Sequence, residues 1–451
     1  MLRRLAQRGL GRGCMHLRRC AVPPSLQHRT CQFASSPDEI PFKGILSKEF
    51  VHQPQFKDTY EGIPILRQLN YDGNLTERVT LPFSHEKGVQ MMETMVKLTV
   101  YDQVLYDIQR QGRISFYMTS TGEEAAQIAS GSALGPDDVL FLQYRELGVL
   151  LAQGYPIEEV INQCFSTTLD PGKGRQMPIH YTSKQRPSVP TISSPLTTQV
   201  PHAAGAGFAM ARRGEDRVAV AFFGDGAASE GDFIPALNFA ATLKCQTLFI
   251  CRNNGFAIST PVSEQYIGDG IAVRGVAYGV PSIRVDGNDL VAVYSAVKAA
   301  RELVLREKRP ALVELMTYRV GHHSTSDDAS RYRMDEEAKS WQEEGMQGIG
   351  RFRRLLRNID KNLFDPHRER ELVAETRKHL LSLIRDAEAN KKSPSIDYLF
   401  TDVYDEATET LKEQREELKG HLNKHADKYA EQLEKHEASE DFPFPKTVKK
   451  V

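Results

Sequence analysis

Apolar residues recur with the period of an α-helix over residues 84–111, and a second helical segment over residues 121–134 opens with two acids. Further along, continuous apolar runs alternate with helical segments. Strands are predicted at residues 139–142, 217–223, 247–251, 282–285 and 311–318, with helices at 198–212, 230–243 and 290–307. Because apolar strands alternate with helices, we expect an α/β fold whose parallel sheet is covered by helices on both faces.

The polar residues divide the chain beyond residue 36 into three segments. Residues 37–83 are punctuated by Pro, Gly and Asn with little periodicity, so they are predicted to form an extended N-terminal arm. Residues 84–330 contain the α/β pattern. Residues 331–451 are predicted to form a helical C-terminal region that ends in a charged, solvated tail. Residues 166–200 are a long polar stretch inside the α/β domain, and such stretches are usually functional or disordered.

Residues 1–36 contain seven arginines but no lysine and no acidic residue. This composition is typical of a mitochondrial transit peptide. The alternative is a basic tail that binds an anionic partner, but acidic residues begin abruptly at Asp38 and globular composition follows. We therefore predict a transit peptide and a location in the mitochondrial matrix. Without it, 51 basic and 59 acidic residues remain, a net charge of −8.

Charge, hydropathy and cysteine content exclude several classes of protein. The formal net charge of −1 gives no reason to expect a nucleic-acid partner. No uninterrupted apolar run is long enough to span a bilayer, so a membrane-embedded protein is not expected. Beyond the leader, Cys164, Cys245 and Cys251 contain no Cys-x-x-Cys pair. They are predicted to be buried thiols, without disulfides in a reducing compartment.

A Gly-Asp-Gly motif at residues 224–226 follows one predicted strand, and Asn-Asn at residues 253–254 follows the next. Most Gly-Asp-Gly sequences are plain turns. Successive strands of a βαβ unit usually lie side by side, however, so Asp225 and Asn254 are expected to meet at the carboxyl edge of the sheet. Their oxygen atoms suit Mg²⁺, and a helix that begins near residue 229 can direct its first N–H groups at an anion.

The two motifs are separated by 26 residues, which is the spacing of the thiamine-diphosphate motif. Further runs of one family follow this pattern in order along the chain. They are Gln-Gly-Arg-Ile-Ser-Phe-Tyr at 111–117, Gln-Tyr-Arg-Glu at 143–146, Thr-Ile-Ser-Ser-Pro at 191–195, Gly-Ala-Ala-Ser-Glu-Gly-Asp at 226–232 and Tyr-Arg-Val-Gly-His-His-Ser-Thr-Ser-Asp-Asp at 318–328. From about residue 60 to residue 405 the sequence resembles the alpha subunits of branched-chain 2-oxoacid dehydrogenases. The resemblance implies a thiamine-diphosphate-binding α/β fold.

The resemblance also implies a set of cofactor and metal ligands. Mg²⁺ would be held by Asp225, Asn254 and the backbone carbonyl of Phe256. Thiamine diphosphate would be bound by Gln143, Tyr144, Arg145, Ser194, Leu196, Gly226, Ala227, Arg252 and His323. K⁺ would be caged by Ser193, Pro195, Thr198 and Gln199. A structural turn would use the same residue types as this K⁺ site.

Two neighbouring residues in the loop 321–333 have roles implied by the family. Histidine pairs in polar loops are usually solvated or cap a backbone group, but His323 would here assist transfer of the acyl group to lipoamide, since an imidazole can move a proton near neutral pH. Ser324 would be a kinase target, against the simpler interpretation of a flexible surface loop. A phosphate there would repel Asp327 and Asp328, which predicts an inactivating switch.

The implied activity is the oxidative decarboxylation of branched-chain 2-oxo acids with reductive acylation of lipoamide. Thiamine chemistry needs a glutamate against the aminopyrimidine ring, and single-chain relatives carry it on a separate domain. After the diphosphate region this chain has only a charged helical tail. The resemblance therefore implies a beta subunit that supplies the glutamate and an α₂β₂ heterotetramer. It further implies a lipoyl-bearing acyltransferase core as docking partner, with a regulatory kinase and phosphatase.

Three other functions compete with this interpretation. A pyruvate dehydrogenase alpha subunit shares the diphosphate motif, but its loop differs from the run at residues 322–328. A non-catalytic regulatory subunit of the same fold should have lost metal and diphosphate residues, and all of them are in place. A generic nucleotide-binding protein is disfavoured, because the sequence has neither a Gly-x-Gly-x-x-Gly fingerprint after a strand nor a Walker-type loop.

Overall fold

The structure, a computed structural model, describes residues 51–57, 61–183, 186, 188–193, 195–389, 393–401, 403–437, 439 and 442. The chain divides into two compact units, Met1–Glu61 and Gly62–Val451. In the first unit, residues 51–57 are exposed and form neither helix nor strand. The predicted transit peptide, residues 1–36, lies outside the described residues, as does the predicted site residue Ser194.

The second unit is built on a parallel sheet. Its described strands are β1 (Ile65–Leu66), β2 (Val139–Phe141), β3 (Ala219–Gly224), β4 (Thr247–Asn253), β5 (Phe256–Ala257), β6 (Thr260–Pro261), β7 (Ser282–Asp286) and β8 (Ala311–Met316). Six of them form one sheet in the order β1-β7-β8-β4-β3-β2, with parallel pairing throughout. β5 and β6 form a small antiparallel hairpin. The predicted parallel α/β sheet is confirmed.

Helices surround this sheet and continue to the C-terminal region. They are α1 (His85–Arg110), α2 (Glu124–Ala133), α3 (Leu147–Ala152), α4 (Ile157–Cys164), α5 (Gln199–Arg213), α6 (Phe233–Leu243), α7 (Val262–Gln265), α8 (Ala272–Ala277), α9 (Leu290–Glu307), α10 (Asp335–Ser340), α11 (Gly348–Ile359), α12 (Pro366–Ala389), α13 (Glu409–Lys424) and α14 (Ala426–Leu433). Local chemistry sets their ends. Asp289 caps α9 by accepting from Ala292 N at 3.0 Å, and α5 ends where Gly214 has a φ of 67°.

Helices cover both faces of the sheet, as alternate residues of β3 demonstrate. Val220 and Phe222 pack in a core cluster with residues of α1, α2 and α9. Ala221 and Phe223 pack in a second cluster with residues of α5 and α6. All four side chains are fully buried, and burial of a phenylalanine stabilises a fold by about 2 kcal/mol. The central strands are therefore fixed from both sides, and so is the edge at which they end.

Two elements differ from the sequence prediction. β1 lies within the segment predicted to be an extended arm, yet it pairs with β7 at one edge of the sheet. A strand of two residues is too short to show an alternating pattern. The predicted helix 230–243 begins only at Phe233, because Ala227–Ser229 form a separate 3₁₀ turn. The connection that follows the Gly-Asp-Gly motif is thus three residues longer than predicted, and it begins with a tight 3₁₀ turn.

The cysteines and the charged tail agree with their predictions. Cys164, Cys245 and Cys251 are free and buried, and burial raises the pKa of the Cys164 thiol to about 12. Helix α13 has no buried residue, so this part of the tail is solvated as expected. In the part of the chain that the structure describes, no helix combines the length and apolar character needed to cross a membrane.

Candidate functional site

The carboxyl ends of β3 and β4 bring the two sequence motifs together. Gly224 pairs in register with Arg252, so the residues that follow both strands lie at the same edge of the sheet. Asn254 N donates to Asp225 Oδ1 at 3.2 Å, and both side chains are buried. Gly255 then turns the chain with a φ of 89°, a conformation that favours glycine.

A cavity of about 530 Å³ opens at this edge. The residues with a predicted role that line it are Gln143, Tyr144, Arg145, Leu196, Asp225, Gly226, Ala227, Arg252, Asn254, Phe256 and His323. The remaining lining residues are Gly224, Ser229, Glu230, Ala257, Ile258, Thr260, Gln265 and Arg319. The structure therefore brings most of the predicted cofactor and magnesium ligands around one space, although they are far apart in the sequence.

Arg252 is held between two buried glutamates. Its Nε donates to Glu146 Oε1 at 2.7 Å, and its Nη1 donates to Glu123 Oε2. Burial raises the pKa of the Glu146 carboxyl, against the opposing charge of Arg252. Glu123 also accepts from Asn254 Nδ2 at 2.9 Å. Because loss of one partner would leave a buried charge uncompensated, these contacts fix the Arg252 guanidinium in one place.

Two further arginines face the cavity. Arg145 Nη1 donates to Thr119 O at 2.6 Å, and its Nη2 donates to His323 O at 2.7 Å. Arg319 Nη2 donates to Ile258 O at 2.5 Å, whereas its buried Nε has no hydrogen-bond partner among the described residues. Burial and the nearby charge of Arg145 lower the pKa of Arg319. Three guanidinium groups around one cavity suit an anionic ligand such as a diphosphate.

His323 lies at the loop side of the cavity. Its Nε2 is 3.3 Å from Tyr144 Oη, and its backbone N donates to Asp327 Oδ2 at 2.7 Å. Burial, followed by the charges of Arg145 and Arg319, lowers the pKa of His323 to about 3. The imidazole is therefore neutral near pH 7, where one ring nitrogen can donate a hydrogen bond and the other can accept one.

The residues next to His323 are tied to their own loop. His322 Nδ1 accepts from Ala329 N at 2.9 Å, so this histidine caps a backbone group. Ser324 is only 8% exposed, and its Oγ accepts from Ser326 N at 3.2 Å. The predicted kinase-target serine is thus buried in this conformation, and a kinase could reach it only after the loop opens.

Three of the four residues predicted to cage K⁺ contact one another, and the fourth, Gln199, is bonded to the sheet. Ser193 Oγ is 2.9 Å from Thr198 Oγ1, which is also 2.9 Å from Pro195 O. Gln199 Nε2 donates to Phe222 O at 3.0 Å, which sets the orientation of its amide. The Gln199 Oε1 atom is buried and has no donor among the described residues. A buried, unpartnered amide oxygen is chemically suited to a hard cation, as are the hydroxyl and carbonyl oxygens of the other three residues.

The dehydrogenase E1 component family model matches residues 92–395, a range that includes every residue named around the cavity. The chain belongs to the dehydrogenase E1 component family. Members of this family depend on thiamine diphosphate. The family resemblance and the cofactor dependence expected from the sequence are therefore confirmed.

Three relatives in the E1 family are mitochondrial alpha subunits of 2-oxoisovalerate dehydrogenase. The Caenorhabditis elegans protein is 49% identical over 374 residues, covering 82% of this chain and 85% of the relative. The Homo sapiens protein is 45% identical over 434 residues, covering 95% and 93%. The alpha 1 subunit of Arabidopsis thaliana is 50% identical over 368 residues, covering 81% and 77%. The similarity extends over most of each chain.

Sequence patterns do not single out three residues of this E1-family site: Glu123, Gln265 and Arg319. The sequence signal of Glu123 is that of an ordinary acid at the start of a helix. Gln265 Nε2 donates to Asp225 Oδ2 at 3.0 Å from a helix of only four residues, which leaves no periodic signal. Arg319 stands in the family run 318–328, and this run is the signal that could have identified it.

The donor set around Asp225 suits a metal that binds together with an anionic ligand. Among the described residues, no group of three or more His, Cys, Asp or Glu side chains could hold a metal by itself. Asp225 provides a carboxylate, and Asn254 provides an amide oxygen that accepts from Phe256 N at 3.3 Å. Mg²⁺ commonly uses one or two carboxylates together with phosphate oxygens and water. The residues present therefore fit Mg²⁺ bound to the diphosphate of the family's cofactor.

Proposed function

We propose that this chain is the alpha subunit of a branched-chain 2-oxoacid dehydrogenase, the decarboxylase component that acts on 2-oxo acids derived from valine, leucine and isoleucine. The reaction is oxidative decarboxylation with reductive acylation of lipoamide. The observation that carries the proposal is the cavity at the ends of β3 and β4, where Arg145, Arg252 and Arg319 surround the buried Asp225 and Asn254. Identity of about one half to 2-oxoisovalerate dehydrogenase subunits favours this type over a pyruvate dehydrogenase subunit.

Thiamine diphosphate, when bound, supplies a carbon nucleophile and an electron sink for the loss of CO₂. This chain binds and orients its diphosphate end. Arg252, fixed by its two glutamates, contributes positive charge and the N–H groups that the glutamates leave free, and Arg319 contributes its unused Nε–H. Asp225, Asn254 and the Phe256 carbonyl would hold Mg²⁺, which would supply positive charge to the diphosphate. The family's dependence on thiamine diphosphate supports this assignment.

His323 holds or moves a proton at the reacting end of the site. Its neutral imidazole lines the cavity beside Tyr144 and can give a proton to a developing oxyanion or take one back. A bound diphosphate adds negative charge, which offsets Arg145 and Arg319 and raises the pKa of His323 from its depressed value. The residue is then able to act near neutral pH.

The oxygen atoms of Ser193, Pro195, Thr198 and Gln199 would hold K⁺ in the proposed function. The unpartnered Gln199 Oε1 supports this site. The same loop carries Leu196, which lines the cavity, and Ser194, which lies outside the described residues. A K⁺ ion held by these residues would therefore order the loop that places Leu196 at the cavity.

A beta subunit completes the site in this proposal. An E1 alpha subunit implies such a partner. The described part of Gly62–Val451 has one six-stranded sheet, so the glutamate that contacts the aminopyrimidine ring is assigned to the beta subunit of an α₂β₂ heterotetramer. The tetramer docks on a lipoyl-bearing acyltransferase core. The related subunits are mitochondrial, and the arginine-rich residues 1–36 support transit to the matrix.

Phosphorylation of Ser324 by a regulatory kinase, reversed by a phosphatase, is proposed as the inactivating switch. Ser324 is buried and bonded to Ser326 N, so a phosphate cannot be accommodated without opening the loop. The added charge of about −1.5 to −2 would also face the Asp327 carboxylate, which holds His323 N. Phosphorylation therefore releases the loop that carries His323.

The test is decarboxylation of 3-methyl-2-oxobutanoate by residues 37–451, with thiamine diphosphate and Mg²⁺, in the presence and absence of a branched-chain-type beta subunit. Activity is expected only in the mixture and should exceed activity with pyruvate. Preference for pyruvate would contradict the branched-chain assignment. A complex that binds the cofactor but is inactive on both acids would favour the non-catalytic regulatory subunit.

A further inference from the structure

A buried carboxylate on α1, that of Asp102, forms no direct ion pair with the described residues and lies outside the cavity lining. Asp102 is 3% exposed. Its Oδ1 accepts from Tyr117 Oη at 2.9 Å, and its Oδ2 accepts from Ser120 N at 2.5 Å. Burial raises the pKa of this carboxyl to about 7, although both hydrogen bonds and the charge of Arg145 oppose that change. An unpaired buried carboxylate is unfavourable for stability, so its presence calls for another explanation.

The segment that Asp102 holds runs beside the loop that carries His323. Tyr117 and Thr325 exchange two hydrogen bonds: Thr325 N donates to Tyr117 O at 3.1 Å, and Tyr117 N donates to Thr325 Oγ1 at 3.2 Å. At Thr121, four residues after Tyr117, the backbone O accepts from Val320 N at 3.1 Å. Residues 117–121 therefore form hydrogen bonds with both ends of the segment 320–325.

The middle of the loop is tied to the same segment. Arg145 bridges Thr119 O and His323 O at 2.6 and 2.7 Å. A Cβ on Gly321 would lie only 2.7 Å from Thr119 Oγ1, so the two chains approach closely there. The position of the His323 backbone thus depends on where residues 117–121 lie. The Asp102 carboxylate ties this segment to α1 by hydrogen bonds to Tyr117 and Ser120. The same helix also contacts the loop directly, since Arg110 Nη1 donates to Thr325 O at a longer 3.4 Å.

We propose that Asp102 is a positioning residue for the loop that carries His323. Asp102 does not line the cavity. It acts through its hydrogen bonds to Tyr117 and Ser120. The segment that contains these two residues bonds Thr325 and, through Arg145, the carbonyl of His323. A carboxylate is suited to this task because it accepts from a side-chain hydroxyl and from a backbone N–H at once. The effect on turnover rests on the proposed function, whereas the effect on loop order does not.

The first measurement is hydrogen exchange in the assembled complex with the beta subunit. Asp102→Asn keeps one acceptor oxygen but places an NH₂ group where the second bond is accepted. Peptides covering residues 320–333 are expected to exchange about 10-fold faster in this variant, because local opening becomes easier. Peptides covering β4 should be unchanged. Unchanged exchange at 320–333, or an equal increase in β4, would overturn the proposal.

Two further variants make the exchange experiment specific. Asp107→Asn, an exposed position on the same helix, is the matched control and should leave exchange at 320–333 unchanged. Tyr117→Phe removes only the hydroxyl bond to Asp102 and should give an intermediate increase. If Asp102→Asn does not fold, Tyr117→Phe still decides the matter, since wild-type exchange in that variant would contradict the proposal.

The second measurement separates positioning from general destabilisation. Asp102→Asn should lower kcat by about 10-fold while KM for the 2-oxo acid stays unchanged, as expected for a displaced catalytic group. In a double-mutant cycle with Thr325→Val, the double variant should lose less activation free energy, calculated from kcat, than the sum of the two single variants. This is expected although Asp102 and Thr325 are not in contact. Additive losses, or a rise in KM alone, would refute positioning. Wild-type inactivity would contradict the proposed function, and the exchange result would still decide the role of Asp102.

Discussion

On one side of the cavity, Asp225 and Asn254 follow two strands that pair residue by residue to their ends. On the other side, two side chains hold the backbone of His323: Arg145 donates to its carbonyl, and Asp327 of the same loop accepts from its N–H. Backbone pairing persists when one side chain is replaced, whereas a side-chain anchor is lost with its residue. We therefore expect substitutions at the sheet side to change ligand binding in an intact fold, and substitutions at the loop side to change the order of the loop.

The sheet side should show the largest effect on activity. Asp225→Ala removes the only carboxylate of the proposed Mg²⁺ site without touching the pairing of β3 and β4. Decarboxylase activity is expected to fall by about 10³-fold, since the metal no longer neutralises the diphosphate. Turnover at saturating Mg²⁺ measures the loss, and far-ultraviolet circular dichroism should be unchanged. Asp216→Asn, whose side chain is 96% exposed, is the control. Full activity of Asp225→Ala would remove this residue from the site.

Glu123 joins the two sides, because it contacts Arg252 and Asn254 and lies 3.8 Å from Arg145 Nε. Glu123→Gln keeps the shape but leaves Arg252 with one buried carboxylate. The free energy of unfolding should fall by about 3 kcal/mol, as for other broken buried pairs. Denaturant unfolding of the cofactor-free complex measures it. The exposed Glu409→Gln should change stability by less than about 0.5 kcal/mol. Equal stabilities of the two variants would show that the contact between Glu123 and Arg252 does not stabilise the fold.

On the loop side, His323 should make the free energy of unfolding depend on pH. The pKa of His323 is lowered in the folded protein from 6.5 to about 3, so folding excludes its proton. The stability that depends on neutral His323 is complete above pH 6.5 and is lost as the pH falls toward 3. In His323→Asn, the free energy of unfolding should decrease less between pH 6.5 and pH 3 than in wild type, by on the order of 2 kcal/mol. Thermal unfolding without cofactor at several pH values measures it. His367→Asn, at an exposed histidine, should leave the slope as in wild type.

The smallest effect is expected at Gln265, which orients the Asp225 carboxylate from outside the proposed metal ligands. Gln265→Ala should weaken Mg²⁺ binding by about 10-fold, in the range known for residues that orient a metal ligand. Titration with Mn²⁺ in the presence of thiamine diphosphate, followed by electron paramagnetic resonance, gives the affinity directly. Gln265→Glu keeps a side-chain oxygen but loses the donor, and it should not restore the affinity. Wild-type affinity in both variants would leave Gln265 without a role in metal binding.

The same contrast explains what the sequence could predict. Asp225 and Asn254 were predictable because each directly follows an apolar strand, and strand order places their edges together. Glu123 and Gln265 reach the site from segments that carry no local signal of it. The helix predicted from residue 230 begins at Phe233, since the periodicity of apolar residues does not distinguish a 3₁₀ turn from a first helical turn. Pairing patterns are local in sequence, whereas side-chain anchors are not.

The two glutamates that hold Arg252 have a consequence for how the affinities for the cofactor and for Mg²⁺ depend on each other. The buried charged side chains that line the cavity, or that bond Arg252 there, are the cations Arg145, Arg252 and Arg319 and the anions Glu123, Glu146 and Asp225. Three positive and three negative charges balance. A diphosphate alone would leave excess negative charge in this low-dielectric space, and a divalent cation alone would leave excess positive charge. By thermodynamic linkage, each must raise the affinity for the other by the same factor, so the apparent dissociation constant of the cofactor should fall steeply with the concentration of free Mg²⁺.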